Sequence, residues 1–245
     1  GRLLAVAERI DTLAGGFAAG LKPTGNKDPF ALRRAALGLA RTLIEGDIEL
    51  DLHAALGDAI AALPSSAQPQ DAGTLAGELY DFVLDRLRGY YADRGVPVQQ
   101  FSAVAALRPG SLRDFDRRIE AIGSFARLPE AEALAAADKR IRNILRKADG
   151  VVPGEVDAAR LVEPAEQALA AAVESAWAEA GPALEGGDYV GGLARLARLR
   201  PEVDAFFDAV MVNVEDPALR ANRLALLQRL AKRLGSVAEL GQLSA

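Results

Sequence analysis

The sequence contains no cysteine, a single histidine (His53), a single methionine (Met211) and a single tryptophan (Trp177), and only 5% of its 245 residues are aromatic. Without cysteine there is no disulfide framework, no thiolate nucleophile and no sulfur ligand for a metal, a usage that fits a reducing cytoplasm. The lone histidine sits in an ordinary amphipathic turn, DLHAAL, so no multi-histidine metal site can be assembled. No P-loop and no Ser-His-Asp set is visible, and the paired carboxylates fall on faces of mixed charge. No apolar run approaches the roughly 20 residues of a membrane span, and the start lacks signal-peptide architecture. No run reads convincingly as a strand. Positive charge is also in deficit, with a net charge of −5.

What remains is a chain that is 50% apolar and rich in Ala and Leu, which favours helices throughout. The clearest organising stretch is 201–234. Val203, Phe206, Phe207, Val210, Met211 and Val214 follow one helical stripe. Glu215-Asp216-Pro217 then breaks the pattern, with Asp216 as N-cap and Pro217 at the first helical position. Leu219, Leu226, Leu227, Leu230 and Leu234 form the stripe of a second helix, so a short connection and an antiparallel hairpin are expected. At 100° per residue Arg223 falls inside that second stripe. Two readings stay open for it: a structural lock onto Glu215, Asp208 or the carbonyls ending the first helix, or an RNA phosphate contact.

Charge is unevenly distributed. Lys139, Arg140, Arg142, Arg146 and Lys147 are opposed only by Asp138 within 137–148, and Arg220, Arg223, Arg229, Lys232 and Arg233 by no acid within 220–233. On a helix over about 130–148, Lys139, Arg140, Arg142, Asn143, Arg146 and Lys147 form an arc opposite Leu134, Ile141, Ile144, Leu145 and Ala148. A face that needed only solubility would intersperse acids, so contact with an RNA backbone is favoured, with Asn143 placed to read a base edge. Arg220 and Asn222 extend the basic set. By contrast, Arg113, Arg117 and Arg118 alternate with Asp114, Asp116 and Glu120, as a solvated face does.

Along the chain, a helix over 3–20 presents Leu3, Leu4, Ala7, Ile10, Leu13 and Ala14. KPTGNKDP (22–29) is a turn in which Asp28 and Pro29 launch a helix to about Glu45, with Phe30 available for packing. Lys22, Thr24 and Lys27 there make a possible phosphate site, set against the plainer reading of a well-capped connection. LPSSAQPQDAG (63–73) is the best linker candidate. A helix follows to Tyr90 and Tyr91, whose rings are core or stack on bases. Helices broken at Arg108-Pro109-Gly110 and Leu128-Pro129 come next, then a turn over 149–154. Another helix opens at Pro164 and stops at Gly181-Pro182 with Trp177 inward, and one more is capped by Gly186-Gly187-Asp188. The start at Gly1, inside a helical pattern, reads as a fragment of a longer protein.

FFDAVMVNVEDPALRANRLALLQRL resembles the closing helices of DALR-type anticodon-binding domains. Together with KPTGNKDPFALRRAALGLARTLIE, AADKRIRNILRKA and AERIDTLAGGF, it makes the whole chain resemble the C-terminal part of the β subunit of the bacterial heterotetrameric glycyl-tRNA synthetase. The resemblance implies an all-α fold: the end of an HD-like helical domain over 1–63, a linker over 64–73, a helical connecting region over 74–130 and a DALR-type domain over 131–245. In active HD enzymes an Asp completes a metal site, and Asp11 would be its counterpart, but its partners are missing. The implied function is recognition of glycine tRNA, with glycine activation, ATP and Mg left to a separate α subunit. Two α and two β chains would assemble in the cytoplasm, with no cofactor in this stretch and no membrane. The competing reading is a helical scaffold that docks a protein partner and binds no RNA.

Overall fold

The computed structural model describes residues 1–148 and 150–244; Asp149, at the start of the expected 149–154 turn, lies outside them. Among the described residues there are eleven α-helices and no strand: α1 (Arg2–Ala18), α2 (Leu32–Glu45), α3 (Leu52–Ala61), α4 (Ala72–Ala92), α5 (Val98–Ala105), α6 (Leu112–Phe125), α7 (Ala131–Arg146), α8 (Pro164–Glu185), α9 (Tyr189–Ala197), α10 (Arg200–Ala209) and α11 (Pro217–Leu234). Two 3-10 turns, Ala158–Arg160 and Leu240–Leu243, complete them. None of these helices is long and apolar enough to cross a membrane.

The chain divides into two compact units, Gly1–Phe101 with Arg108–Asp116, and Ser102–Leu107 with the chain from Arg117 onward. The 64–73 segment therefore does not separate units. It joins α3 to α4, which pack together, and Gln68 Nε2 ties it back by donating to the carbonyls of Ala61 and Leu63, both at 3.0 Å. In the first unit α1 to α4 close around Leu13, Leu39, Leu43, Leu56, Leu79 and Val83. The buried Tyr80 hydroxyl donates to Pro109 O at 2.9 Å, and burial pushes its pKa up to about 12. Tyr90 and Tyr91 are both buried, and the Tyr91 hydroxyl donates to Asp116 at 2.8 Å, so these rings are core.

Local expectations fail at five places, each for a packing or hydrogen-bonding reason. Leu3 and Leu4 are 71% and 75% exposed, because α1 turns Val6, Ile10, Leu13, Ala14 and Phe17 inward. Asp28 does cap a helix, but from four residues upstream: its two oxygens accept from Leu32 N (2.8 Å) and Arg33 N (3.0 Å), Ala31 takes a left-handed φ of 56°, and Pro29 and exposed Phe30 stay in the turn. Helix α8 continues through Gly181-Pro182 to Glu185, because packing against α9 outweighs the local stop signal. Helix α10 ends at Ala209, where Val210 becomes extended, so Met211 is 72% exposed and not part of a stripe. Arg118, expected on a solvated face, is half-buried and donates to the carbonyls of Ser236 and Val237, both at 2.9 Å.

The closing helices do not form the expected hairpin. Residues 210–216 separate α10 from α11, and both helices pack mainly on α7 and α8. Asp216 is the N-cap of α11, accepting from Ala218 N (2.8 Å) and Leu219 N (3.2 Å), with Pro217 first in the helix. What ties these parts together is Glu166, fully buried in the first turn of α8. One of its oxygens accepts from Glu163 N at 2.9 Å, closing the start of α8. The other accepts from Nε of Arg223, which is 4% exposed on α11, while Arg223 Nη1 donates to Met211 O at 2.7 Å.

Removing one member of this pair leaves the other charge buried and unpaired, so Arg223→Ala and Glu166→Ala should each destabilise by about 3–5 kcal/mol. Arg223→Ala combined with Glu166→Ala should cost clearly less than the two single changes added together. Urea unfolding of the four proteins in a double-mutant cycle checks this; additive losses would mean that the two side chains are not coupled.

Candidate RNA-binding surface

Helix α7 is made of strong helix formers, with Glu132 in its first turn and Arg146 in its last, each favourable to the helix dipole. It buries Ala131, Leu134, Ala135, Ala137, Asp138 and Ile141, whereas Ile144 and Leu145 are only half-buried. The arc of cations is real, but the surrounding structure divides it between two grooves.

The first groove, of about 550 Å³, is lined by Lys139, Arg140, Asn143 and Lys147 of α7, together with Asn213 and Ser244 and the apolar floor of Ala136, Ile144 and Ala148. No Asp or Glu is among its described lining residues. The guanidinium carbon of Arg140 lies 4.0 Å from the centroid of the Phe207 ring of α10, a cation–π contact that holds the charge in place without neutralising it. Lys139 Nζ donates to Ser244 O at 3.2 Å. Asn143 Oδ1 accepts from Arg146 at 2.8 Å, which leaves the amide N–H groups of Asn143 as donors toward an outside acceptor. Lys147 is exposed at the end of the helix.

The second groove, of about 1160 Å³, gathers Arg142, Arg146, Arg229, Lys232 and Arg233, but Glu155, Glu174 and Glu239 are interleaved with them. Arg229 pairs with Glu174 at 3.0 Å, and Arg233 stacks 4.0 Å over Trp177, which is half-buried and not fully core. Arg142 is committed to the fold: its Nε donates to the buried Asp138 carboxylate at 2.8 Å, and its Nη1 lies 3.8 Å from Glu239. The same Asp138 oxygen accepts from Gly241 N at 2.9 Å, holding the 3-10 turn on α7. Burial raises the Asp138 pKa, and the Arg142 and Gly241 contacts only partly offset it.

Several expected contacts are withdrawn by these positions. Arg223 is buried against Glu166, and Asn222, 5% exposed, exchanges hydrogen bonds with the backbone of Asp157, accepting from its N–H at 2.7 Å and donating to its carbonyl at 3.0 Å. Neither side chain faces a ligand. Arg220 stays exposed and donates to Val214 O at 3.4 Å. In the Lys22, Thr24 and Lys27 loop, Lys22 pairs with Glu78, Thr24 and Lys27 pair through their backbones, and Asp28 holds the N–H groups of Leu32 and Arg33, which favours the reading of a well-capped connection. Asp11 is exposed on α1, and His53 stacks on Tyr80 with ring centroids 3.9 Å apart. Asn213 was missed as a groove residue, because a helix running through Val214 gave no sign that the chain bends there, and Phe207 was missed as the ring under Arg140.

Residues 1–106 match the family described as glycyl-tRNA synthetase beta subunit, and residues 134–240 match the DALR anticodon binding domain. A glycine–tRNA ligase beta subunit of Xanthomonas campestris pv. campestris (strain 8004) is 65% identical over 247 residues, covering 100% of this chain and 35% of that protein. Proteins of the same name from Xylella fastidiosa (strain M12) and Pseudomonas aeruginosa (strain LESB58) are 52% and 51% identical, covering 100% and 99% of this chain and 38% and 35% of their own length. The chain therefore spans little more than a third of the relatives it matches. The first groove lies in the part that matches the anticodon binding domain, apart from Ser244 at its edge.

The raised pKa of Asp138 fixes a sign. The folded protein holds this proton more tightly than the unfolded chain, so the stabilisation is complete below the ordinary value of 3.8 and fades as pH climbs through the raised folded value. Stability relative to Asp138→Asn should therefore fall as pH rises across that window. Urea midpoints measured between about pH 3.5 and pH 7 check it; a difference that does not change with pH, or that grows in favour of the wild type, would contradict the assignment.

Proposed function

The chain belongs to the glycyl-tRNA synthetase β-subunit family, and we propose that its second unit binds the anticodon arm of glycine tRNA through the first groove of α7. The observation that carries this reading is a concave cluster of Arg140, Asn143 and Lys147, with Lys139 beside them and no Asp or Glu among the described lining residues, in a chain whose net charge is −5. Phosphates are met by the cations, and the apolar floor with the Asn143 and Asn213 amides accommodates an unstacked base. In this proposal the α subunit carries glycine activation with ATP and Mg, and this chain works within a cytoplasmic assembly of two α and two β chains.

Arg142 is unsuited to testing RNA contact, since its loss would strand the Asp138 carboxylate. Arg140→Gln with Lys147→Gln removes two groove cations while leaving α7's buried face intact. Two lost phosphate contacts should reduce the slope of log K against log salt by about 1.4 for single-stranded or loop RNA. Gel-shift titrations of glycine tRNA at two or more salt concentrations read this directly. Asn143→Ala should instead erode preference for the glycine anticodon over other anticodons in an otherwise identical tRNA. An unchanged affinity and slope for both variants would favour the scaffold reading, in which α1, with Leu3 and Leu4 exposed, docks protein instead.

A further inference from the structure

A third groove, of about 500 Å³, lies within the first unit between α2 and α4 and is built differently from the others. Arg33, Arg34, Arg41, Arg86 and Arg94 line it, and Asp93 is the one carboxylate among its described lining residues. The nearby acids do not balance them. Arg86 pairs with Asp85, Arg33 donates to Gly25 O at 2.7 Å, and Glu45 is shared between Arg41 Nε at 2.9 Å and Arg94 at 3.6 Å, its carboxyl held below the ordinary range chiefly by the Arg41 hydrogen bond, so that with Asp93 three acids face five arginines. The guanidinium carbon of Arg94 lies 3.5 Å from the centroid of the buried Tyr90 ring, which fixes one guanidinium at the groove. Arg34 is exposed, and a Cβ at Gly89 would meet nothing within 4 Å, so the middle of the groove is open.

We propose that this groove seats the phosphate backbone of a nucleic-acid strand, as a second RNA contact separate from α7. The inference rests on the RNA-binding reading above. Many single-phosphate and nucleotide sites are built on backbone N–H groups at helix N-termini or nests. Here the N–H groups of Leu32 and Arg33 are occupied by Asp28, and the remaining lining is helix interior or the C-terminal end of α4, so only side chains face the groove. Arg34 and Arg41 also stand about 10 Å apart along α2 at 1.5 Å per residue. That spacing lets the two side chains engage different phosphates of one strand. Arginine side chains distributed along a groove are how proteins hold a strand without reading its sequence.

The test uses the whole chain with Arg34→Gln plus Arg41→Gln, and separately Gly89→Leu, which fills the groove while keeping every arginine. The double variant should lower the salt slope for tRNA by about 1.4, two contacts at about 0.7 each. Gly89→Leu should lower affinity for all tRNAs alike with an unchanged melting temperature. If both keep wild-type affinity and slope while Arg140→Gln with Lys147→Gln loses them, the second contact is overturned and the α7 reading stands. If neither groove's variants differ from a wild type that itself binds tRNA no better than a neutral protein, both fail. Inorganic pyrophosphate, titrated calorimetrically against the free chain, decides the occupant. Pyrophosphate binding that is lost in the double variant, with tRNA binding unaltered, would replace the strand by a small anion and overturn the proposal.

Discussion

The second unit depends on one buried ion pair. Helices α8 and α11 are each amphipathic, and burial of Leu169, Val173, Leu226, Leu227, Leu230 and Leu234 draws them together. Apolar contact alone, however, does not fix which turn of one helix meets which turn of the other. Glu166 and Arg223 do, because two charges removed from water tolerate little displacement from each other. The geometry reaches further than the pair, since the same carboxylate closes the N-terminus of α8 and the same guanidinium holds Met211 O. Thus the bend after α10, which exposes Met211 and brings Asn213 to the α7 groove, is anchored by a side chain on the next helix.

This arrangement explains how the basic residues are sorted. A cation near an acid within the fold is spent on structure: Arg223 on Glu166, Arg142 on Asp138, Arg118 on the carbonyls of Ser236 and Val237. In the second unit, the cations available to a polyanion are those held by rings or left at helix surfaces. Arg140 over Phe207 is an example: the aromatic face orients the guanidinium without neutralising it. Spacing along a helix cannot distinguish these cases, because Arg140 and Arg142 are two residues apart on the same arc. What separates them is the partner that tertiary structure delivers, here an i−4 aspartate made unusually demanding by full burial.

Much of the architecture was legible in the sequence for the same reason that parts of the site were not. Helical period, the Asp216-Pro217 start and the Asp188 cap are local, and local chemistry decided them. The inward position of Arg223 was also readable, since a guanidinium within a leucine stripe has to be paired, but its partner Glu166 lies 57 residues upstream and gave no periodic signal. Gly181-Pro182 and the end of α10 were misread because each was decided by packing rather than propensity. The 64–73 segment has the composition of a linker and still joins helices of one unit; composition reports solvation of a segment, not whether its neighbours pack together. Asn222 looked like a surface amide because its partner is backbone, and backbone partners leave no trace in a side-chain pattern.

A chain of net charge −5 should repel RNA at long range, yet salt limits how far that repulsion counts. At physiological ionic strength exposed charges are largely screened beyond about 8 Å. What a strand meets at contact is therefore the composition of a groove and not the balance of the chain. In the second groove of the α7 region the glutamates interleaved with cations lie inside that distance and cancel their field locally, whereas in the first the described lining offers none. The acidic remainder then acts selectively: it disfavours adhesion of nucleic acid anywhere except where the acids have been removed. Discrimination of this kind resides in where carboxylates are missing as much as in where cations stand, and it makes Arg140 and Lys147 more informative than the five cations of α11 that first drew equal notice.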